Sequence, residues 1–117
     1  MTNANIQINV RTPSPKVAIL DIHGEINSYA ENAIMDAYTQ SSSAGANAII
    51  LNFEGLDYMN SSGIGLLVTL LIRVQRQKQR LLAFGLSEHY RQIFELTRLN
   101  EAILIFESEN AALQAVG

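Results

Sequence analysis

The sequence predicts one α/β domain over residues 1–117, with a mixed sheet of about five strands and helices mainly on one face. A chain of 117 residues is long enough for one hydrophobic core but not for two. Its N-terminal part has two strand-like runs joined by a short Pro-containing turn, which is typical of an antiparallel hairpin. The remainder alternates apolar runs with segments of helical spacing, which is typical of parallel βαβ units.

The first two predicted strands form the antiparallel part of the sheet. Ile6, Ile8 and Val10 alternate with polar residues, as the side chains of a half-buried strand do. Residues 12–15, Thr-Pro-Ser-Pro, interrupt this pattern, and residues 17–22 follow as a second, more buried strand. Because the connection is so short, we expect the two strands to pair antiparallel.

A helix is predicted to begin at Asn27 or Ser28 and to end near Ser42, with Gly45 beyond its last turn. Asn and Ser are both common N-caps, so both starting points stay open. The inner side of this helix is expected to consist of Ala30, Ala33, Ile34, Ala37 and Tyr38.

The centre of the chain predicts a βαβ unit. The β-branched apolar run at residues 48–53 is typical of a buried strand, residues 62–79 have helical spacing, and residues 81–84 are again strand-like. Two parallel strands joined by a helix are connected by a right-handed crossover.

Three short elements complete the predicted fold. Ser87 is expected to cap a helix that ends near Thr97. Residues 103–106 are predicted to form the last strand, and residues 110–116 a short terminal helix. No repeat, low-complexity tract or linker interrupts this order, in keeping with a single domain.

Composition and charge restrict the classes of function. The formal net charge of −3 argues against a nucleic-acid surface. Residues 1–5 lack the basic and apolar regions of a secretion signal, and no apolar run reaches membrane-spanning length. We therefore expect a cytoplasmic protein with no nucleic-acid partner and no membrane insertion.

No catalytic residue, metal site or cofactor is predicted. The chain has no cysteine, and His23 and His89 belong to no spaced pair of metal ligands. The P-loop, the complete Gly-x-Gly-x-x-Gly pattern and the Gly-x-Ser-x-Gly elbow are all missing from the sequence. Gly63 and Gly65 are expected instead to let the first turn of a helix approach the neighbouring chain closely.

The segment between the central strand and its helix carries two adjacent hydroxyls, Ser61 and Ser62. Asn60 or Ser61 can cap the helix, whose first N–H groups attract negative charge. A phosphate added to a serine here would meet a prepared site. The alternative is that both serines only cap the helix and turn the chain.

The helix after these serines is predicted to have two distinct sides. At 100° per residue, one side should cover the sheet and consists of Ile64, Leu67, Val68, Leu71 and Val74. The other side should project outward and consists of Leu66, Thr69, Leu70 and Arg73. An apolar centre with a polar edge is typical of a partner-binding surface, although scattered exposed leucines are also common.

Three segments together resemble the STAS domain family, which is found in bacterial anti-sigma factor antagonists. Residues 57–65, Asp-Tyr-Met-Asn-Ser-Ser-Gly-Ile-Gly, are similar to the phosphorylation-site motif of the family. Residues 20–27 are similar to its strand followed by Gly-Glu-Leu-Asp, and residues 81–99 to its C-terminal strand and helix. The three segments occur in the order of the family, so the resemblance extends over nearly the whole chain.

The resemblance implies a binding module that is switched by phosphorylation. The unphosphorylated antagonist would bind an anti-sigma factor that is also a serine kinase, and the sigma factor would be released. The kinase would inactivate the antagonist by phosphorylating Ser61, with the adjacent Ser62 as the alternative, and a serine phosphatase would restore it. The expected partner-binding residues are Asn27, Asn60, Ser62, Gly63, Leu66, Thr69, Leu70 and Arg73.

Two positions depart from the pattern of the family. Asn60 stands where an Asp usually precedes the serine, and Asn27 stands where an Asp usually follows Gly-Glu-Leu. Both amides keep the ability to cap a helix and remove a negative charge. The departures leave room for a non-phosphorylated subunit of a lipid-transport ATPase complex or for a component of a stress-signalling assembly.

Overall fold

The computed structural model describes residues 5–116, so residues 1–4 and Gly117 lie outside the described part. Much of the argument about a secretion signal concerns residues 1–4. The strands are β1 (Ile6–Ser14), β2 (Val17–Ile26), β3 (Ala48–Met59), β4 (Arg80–Phe84) and β5 (Leu104–Phe106). The α-helices are α1 (Glu31–Ser43), α2 (Ser61–Arg76), α3 (Glu88–Leu96) and α4 (Glu109–Val116). Single 3-10 turns lie at Ser28–Ala30 and Leu99–Glu101.

The strands form one sheet in the order β1-β2-β3-β4-β5. β1 and β2 pair antiparallel, while the pairs β2–β3, β3–β4 and β4–β5 are parallel. Each strand therefore lies beside its neighbour in sequence, and the predicted antiparallel hairpin and the parallel pairing of the βαβ unit are both confirmed.

Helices cover both faces of the sheet unequally. α1, α2 and α3 share the larger hydrophobic core, to which β2 contributes Leu20 and β3 contributes Leu51. Side chains at the alternate positions, such as Ile19 and Ile50, face the other way and pack under α4 through Ala112. The prediction of helices mainly on one face is thus confirmed, with α4 alone on the second face of the part described.

A polar network connects α4 to the antiparallel edge of the sheet. The Arg11 guanidinium donates to both carboxylate oxygens of Asp21, at 2.6 and 2.8 Å, and to Glu109 at 2.8 Å. The Asn52 side-chain amide also donates to Asp21, at 2.8 Å. The bonds from Arg11 first, and then that from Asn52, hold the pKa of Asp21 below its usual range.

Several element boundaries differ from the sequence prediction. β1 extends to Ser14, into the segment expected to interrupt it, and β2 continues to Ile26 instead of ending at Ile22. β3 continues to Met59 because its second half stays paired with β2 through two register shifts. α1 begins only at Glu31, since residues 28–30 first form a 3-10 turn. α2 ends at Arg76, and Lys78 has a left-handed φ of 56°, which a right-handed helix cannot include.

None of the helices within residues 5–116 combines the length and the apolar character that crossing a lipid bilayer requires.

Candidate functional site

Asn27 and Asn60 lie beside one another at the carboxyl edge of two parallel strands. Ile26 at the end of β2 is opposite Met59 at the end of β3, and the Asn60 N–H donates to the Ile26 carbonyl oxygen at 3.2 Å. Each asparagine then opens a helical element in an extended conformation. The Asn27 side-chain oxygen accepts a hydrogen bond from the Tyr29 N–H at 2.9 Å.

Asn60 is the N-cap of α2. Its side-chain oxygen accepts a hydrogen bond from the Gly63 N–H at 2.9 Å, and its carbonyl oxygen accepts one from the Ile64 N–H at 3.0 Å. The choice between Asn60 and Ser61 as the cap is thereby decided, because the oxygen of Asn60 occupies that role.

The two serine side chains at the start of α2 are both exposed. Within residues 5–116, the structure gives neither the Ser61 nor the Ser62 hydroxyl a hydrogen-bond partner in the protein. Backbone N–H groups within these residues therefore do not hold the Ser62 hydroxyl. Neither hydroxyl is engaged in capping, and both are open to another molecule.

The start of α2 favours negative charge. An α-helix leaves its first N–H groups without internal partners, and Asn60 takes up only that of Gly63. The N–H groups of Ser61 and Ser62 remain at the positive end of the helix dipole. The first turn of α2 contains no acidic residue that would compete for them. A phosphate on either serine would lie next to these donors.

The two glycines of the motif have different roles. A Cβ on Gly63 would lie 2.1 Å from the Ile26 carbonyl oxygen, so only glycine lets the first turn of α2 pack this closely against the end of β2. A Cβ on Gly65 would meet no atom within 4 Å. The close approach expected of both glycines is confirmed for Gly63 and wrong for Gly65, which leaves a flat exposed position on the helix.

The predicted division of α2 into two sides is wrong at two positions. Leu70, expected on the outer side, is 0% exposed and belongs to the core shared with α1 and the sheet. Val68, expected on the inner side, is 37% exposed. Leu66, also expected on the outer side, is half-buried and packs against the same core, whereas Thr69 and Arg73 are exposed as expected. The core-facing side is rotated because α2 packs against α1 as well as against the sheet.

The exposed apolar side chains of α2 are Val68 and Ile72, which are 37% and 45% exposed. They continue a series that begins with Ser61 and Gly65. From Ser61 to Gly65, on to Val68 and then to Ile72, the spacings are four, three and four residues, so these four residues form one line along the helix. We call these four residues the α2 stripe. Ile72 was not among the predicted surface residues, although its spacing from Ser61 and Gly65 places it on the same line.

Neither histidine belongs to a cluster of possible metal ligands in the described residues. The exposed His23 lies across Gly55 on β3, and the exposed His89 contacts the Tyr90 ring edge-on, with centroids 4.9 Å apart. No group of three or more His, Cys, Asp or Glu side chains within residues 5–116 could hold a metal ion. The Tyr90 hydroxyl instead accepts a hydrogen bond from the Met59 N–H at 2.9 Å, next to the start of the site.

Comparisons with known proteins agree with this geometry. The STAS domain family matches residues 7–112 of the chain. A Staphylococcus aureus protein (strain NCTC 8325 / PS 47), the anti-sigma-B factor antagonist, is 28% identical over 105 residues, which are 90% of this chain and 94% of that protein.

Two solved structures share the fold. The anti-sigma factor antagonist SpoIIAA in its unphosphorylated form gives a TM-score of 0.73 at 21% identity, over 94% of this chain and 97% of that one. The Bacillus cell fate determinant SpoIIAA in the phosphorylated form gives a TM-score of 0.74 at 21% identity, over 95% of this chain and 100% of that one. The same fold thus exists with and without a phosphate.

Proposed function

We propose, from the premise that this chain belongs to the STAS domain family, that it is an anti-sigma factor antagonist whose binding is switched off by phosphorylation of Ser61. The observation that carries the proposal is the exposed Ser61 hydroxyl, which stands free at a helix start already capped by Asn60. Relatives that cover most of the chain are anti-sigma-B factor antagonists, which supports the same function.

In the proposed cycle, the unphosphorylated chain binds an anti-sigma factor and thereby releases a sigma factor. The anti-sigma factor is also a serine kinase. The Ser61 oxygen attacks the γ-phosphorus of ATP held by that kinase, ADP leaves, and a base of the kinase takes the hydroxyl proton. A serine phosphatase later hydrolyses the phosphate ester. This chain contributes the acceptor and the binding surface and no catalytic group, and it acts in the cytoplasm.

The start of α2 can hold the phosphate without refolding the domain. Phosphorylation adds about −1.5 to −2 charge units at neutral pH. A negative group at a helix N-terminus is stabilised by about 0.3–2 kcal/mol. Because Asn60 and Asn27 carry no charge, the phosphate meets no carboxylate at these two positions. The change therefore stays local, and its effect falls on the partner.

The α2 stripe is the proposed centre of the partner-binding surface. Val68 and Ile72 supply exposed apolar area, Gly65 lets a partner approach the helix backbone, and Thr69 and Arg73 form a polar edge. Ser61 stands at one end of this line. A phosphate there would bring uncompensated charge into a packed interface, and a loss of about 2.7 kcal/mol would weaken binding a hundredfold.

Asn27, Asn60 and Ser62 complete the proposed surface beside the phosphorylation site. The side-chain oxygens of both asparagines are used in caps, so their amide NH2 groups are the atoms available to a partner. A partner surface that donates hydrogen bonds to the Asp carboxylates usual in the family would meet NH2 donors at these two positions instead. This difference supports an anti-sigma factor whose contact surface offers acceptors to Asn27 and Asn60.

The experiment is recovery of the tagged protein from its native cells, followed by phosphosite mapping and identification of bound proteins by mass spectrometry. We expect phosphate on Ser61 and a co-purified serine kinase. Ser61→Ala should bind this kinase and stay unmodified, whereas Ser61→Asp should not bind it. Ser62→Ala is the matched control for the phosphosite and should still carry phosphate on Ser61.

Two results would overturn this proposal. Phosphate found only on Ser62 would move the switch by one residue. A chain that is never phosphorylated and co-purifies with a transporter ATPase would instead be a constitutive transport subunit.

A further inference from the structure

The outer edge of β1 is open. β1 is the first strand in the sheet order, and no other strand in residues 5–116 pairs with its outer side. The Glu25 N–H donates to the Asn5 carbonyl at 2.7 Å, so Asn5 and every second residue after it face β2 in hydrogen-bonded pairs. The N–H and C=O groups of Ile6, Ile8 and Val10 therefore point away from the sheet.

This edge lacks the features that usually keep strand edges apart, such as lysine, proline or a bulge. Residues 6–10 contain no charged residue and no proline, and the register shift of β1 lies beyond them, between Arg11 and Ser14. The charge of Arg11 is already balanced by its bonds to Asp21 and Glu109. The edge is therefore free to accept another strand.

We propose that β1 pairs antiparallel with β1 of a second copy of this chain, so that the two sheets become continuous across a twofold axis. Centred on Ile8, this register sets each Ile8 opposite its counterpart and Ile6 opposite Val10. All the outward N–H and C=O groups of these residues then bond across the axis. Their half-buried side chains, which pack against the larger core, meet on one face.

The occupant is a second copy because the edge is complementary to itself. In this register apolar residues meet apolar residues on one face, while the exposed Gln7 meets Asn9 on the other. Arg11 comes opposite Asn5 rather than opposite its own counterpart, so no like charges meet. Ser61 follows β3, about 10 Å from this edge at the usual strand spacing. The dimer therefore leaves the proposed phosphorylation site accessible on both copies, and its test is independent of that proposal.

The oligomeric state is measured by light scattering after size exclusion across micromolar concentrations, with amide hydrogen exchange on the same samples. We expect twice the monomer mass at the upper concentrations. Exchange at the Ile6, Ile8 and Val10 amides should slow as the dimer forms, because these N–H groups are otherwise open to water. A monomer at every concentration, or fast exchange at these amides in a dimer, would overturn the proposal.

Two double variants test the register without touching the core. Gln7→Lys with Asn9→Lys places like charges opposite one another across the axis and should raise the dimer dissociation constant by about tenfold or more. Gln7→Glu with Asn9→Lys places opposite charges there and should keep the dimer. Both sites are exposed, so the thermal midpoints should stay close to wild type. A dimer unaffected by the first variant would show that the copies associate elsewhere.

Discussion

Replacing Leu70 by alanine should remove a large part of the stability of the domain. Leu70 is fully buried in the core between α2, α1 and the sheet. Truncation of a buried leucine to alanine costs about 2–5 kcal/mol, because the removed methyl groups leave a cavity that closes only in part. With a urea dependence of about 1–3 kcal/mol per molar, a loss of about 3 kcal/mol lowers the unfolding midpoint by roughly 1–3 M.

The matched control is Ile72→Ala, two residues along the same helix. Ile72 is 45% exposed, so its truncation should cost less than about 1 kcal/mol. Urea unfolding followed by far-UV circular dichroism, in one buffer, compares the two variants directly. If Ile72→Ala lowers the midpoint as much as Leu70→Ala does, the assignment of the two faces of α2 is mistaken. Ile72→Asp should further abolish partner recovery from cells while the fold is retained.

Two other predictions concern close packing and pH. Gly63→Ala should destabilise the domain by about 1–3 kcal/mol, because the new Cβ would overlap a carbonyl oxygen of β2. Gly65→Ala, where a Cβ meets no atom, should instead stabilise it by up to about 1 kcal/mol. Calorimetry of both variants measures their thermal midpoints, and equal midpoints would contradict this prediction. The lowered pKa of Asp21 means that its ion pair stabilises the fold fully above pH about 4 and that this contribution is lost as the pH falls through the lowered value. Arg11→Met should therefore lower the urea midpoint at pH 7 and show a smaller further loss on acidification, while parallel losses in both proteins would count against the Asp21 pair.

The hairpin and the parallel crossover could be predicted because local sequence determines them. Strict alternation in residues 6–10 and the Pro-containing turn leave little choice of pairing for β1 and β2. The apolar run at the start of β3 and the helical spacing after it determine the βαβ unit in the same way. The second half of β3 could not be predicted, because it is held by pairing with β2 across two register shifts, which is a non-local interaction.

The rotation of α2 about its axis could not be predicted from the sequence for a different reason. Apolar residues occupy most of its circumference, so periodicity alone does not decide whether Leu70 or Val68 faces the core. Contact with α1 as well as with the sheet decides it in favour of Leu70. The proximity of Asn27 and Asn60, in contrast, follows from a rule available to sequence analysis: residues that follow adjacent parallel strands lie at the same edge of a sheet.

The arrangement at the start of α2 separates the structural role from the proposed regulatory one. A serine that capped the helix itself would lose its bond to the backbone on phosphorylation, and the helix start would have to rearrange. Here the Asn60 oxygen caps the helix, and Gly63 allows the tight contact with the end of β2. The Ser61 hydroxyl can therefore gain or lose a phosphate while the fold around it stays unchanged. A switch built this way acts through charge at the partner surface and leaves the stability of the domain unchanged. We therefore expect Ser61→Asp to lose partner binding while its unfolding midpoint stays that of the wild type, and a lowered midpoint would contradict this.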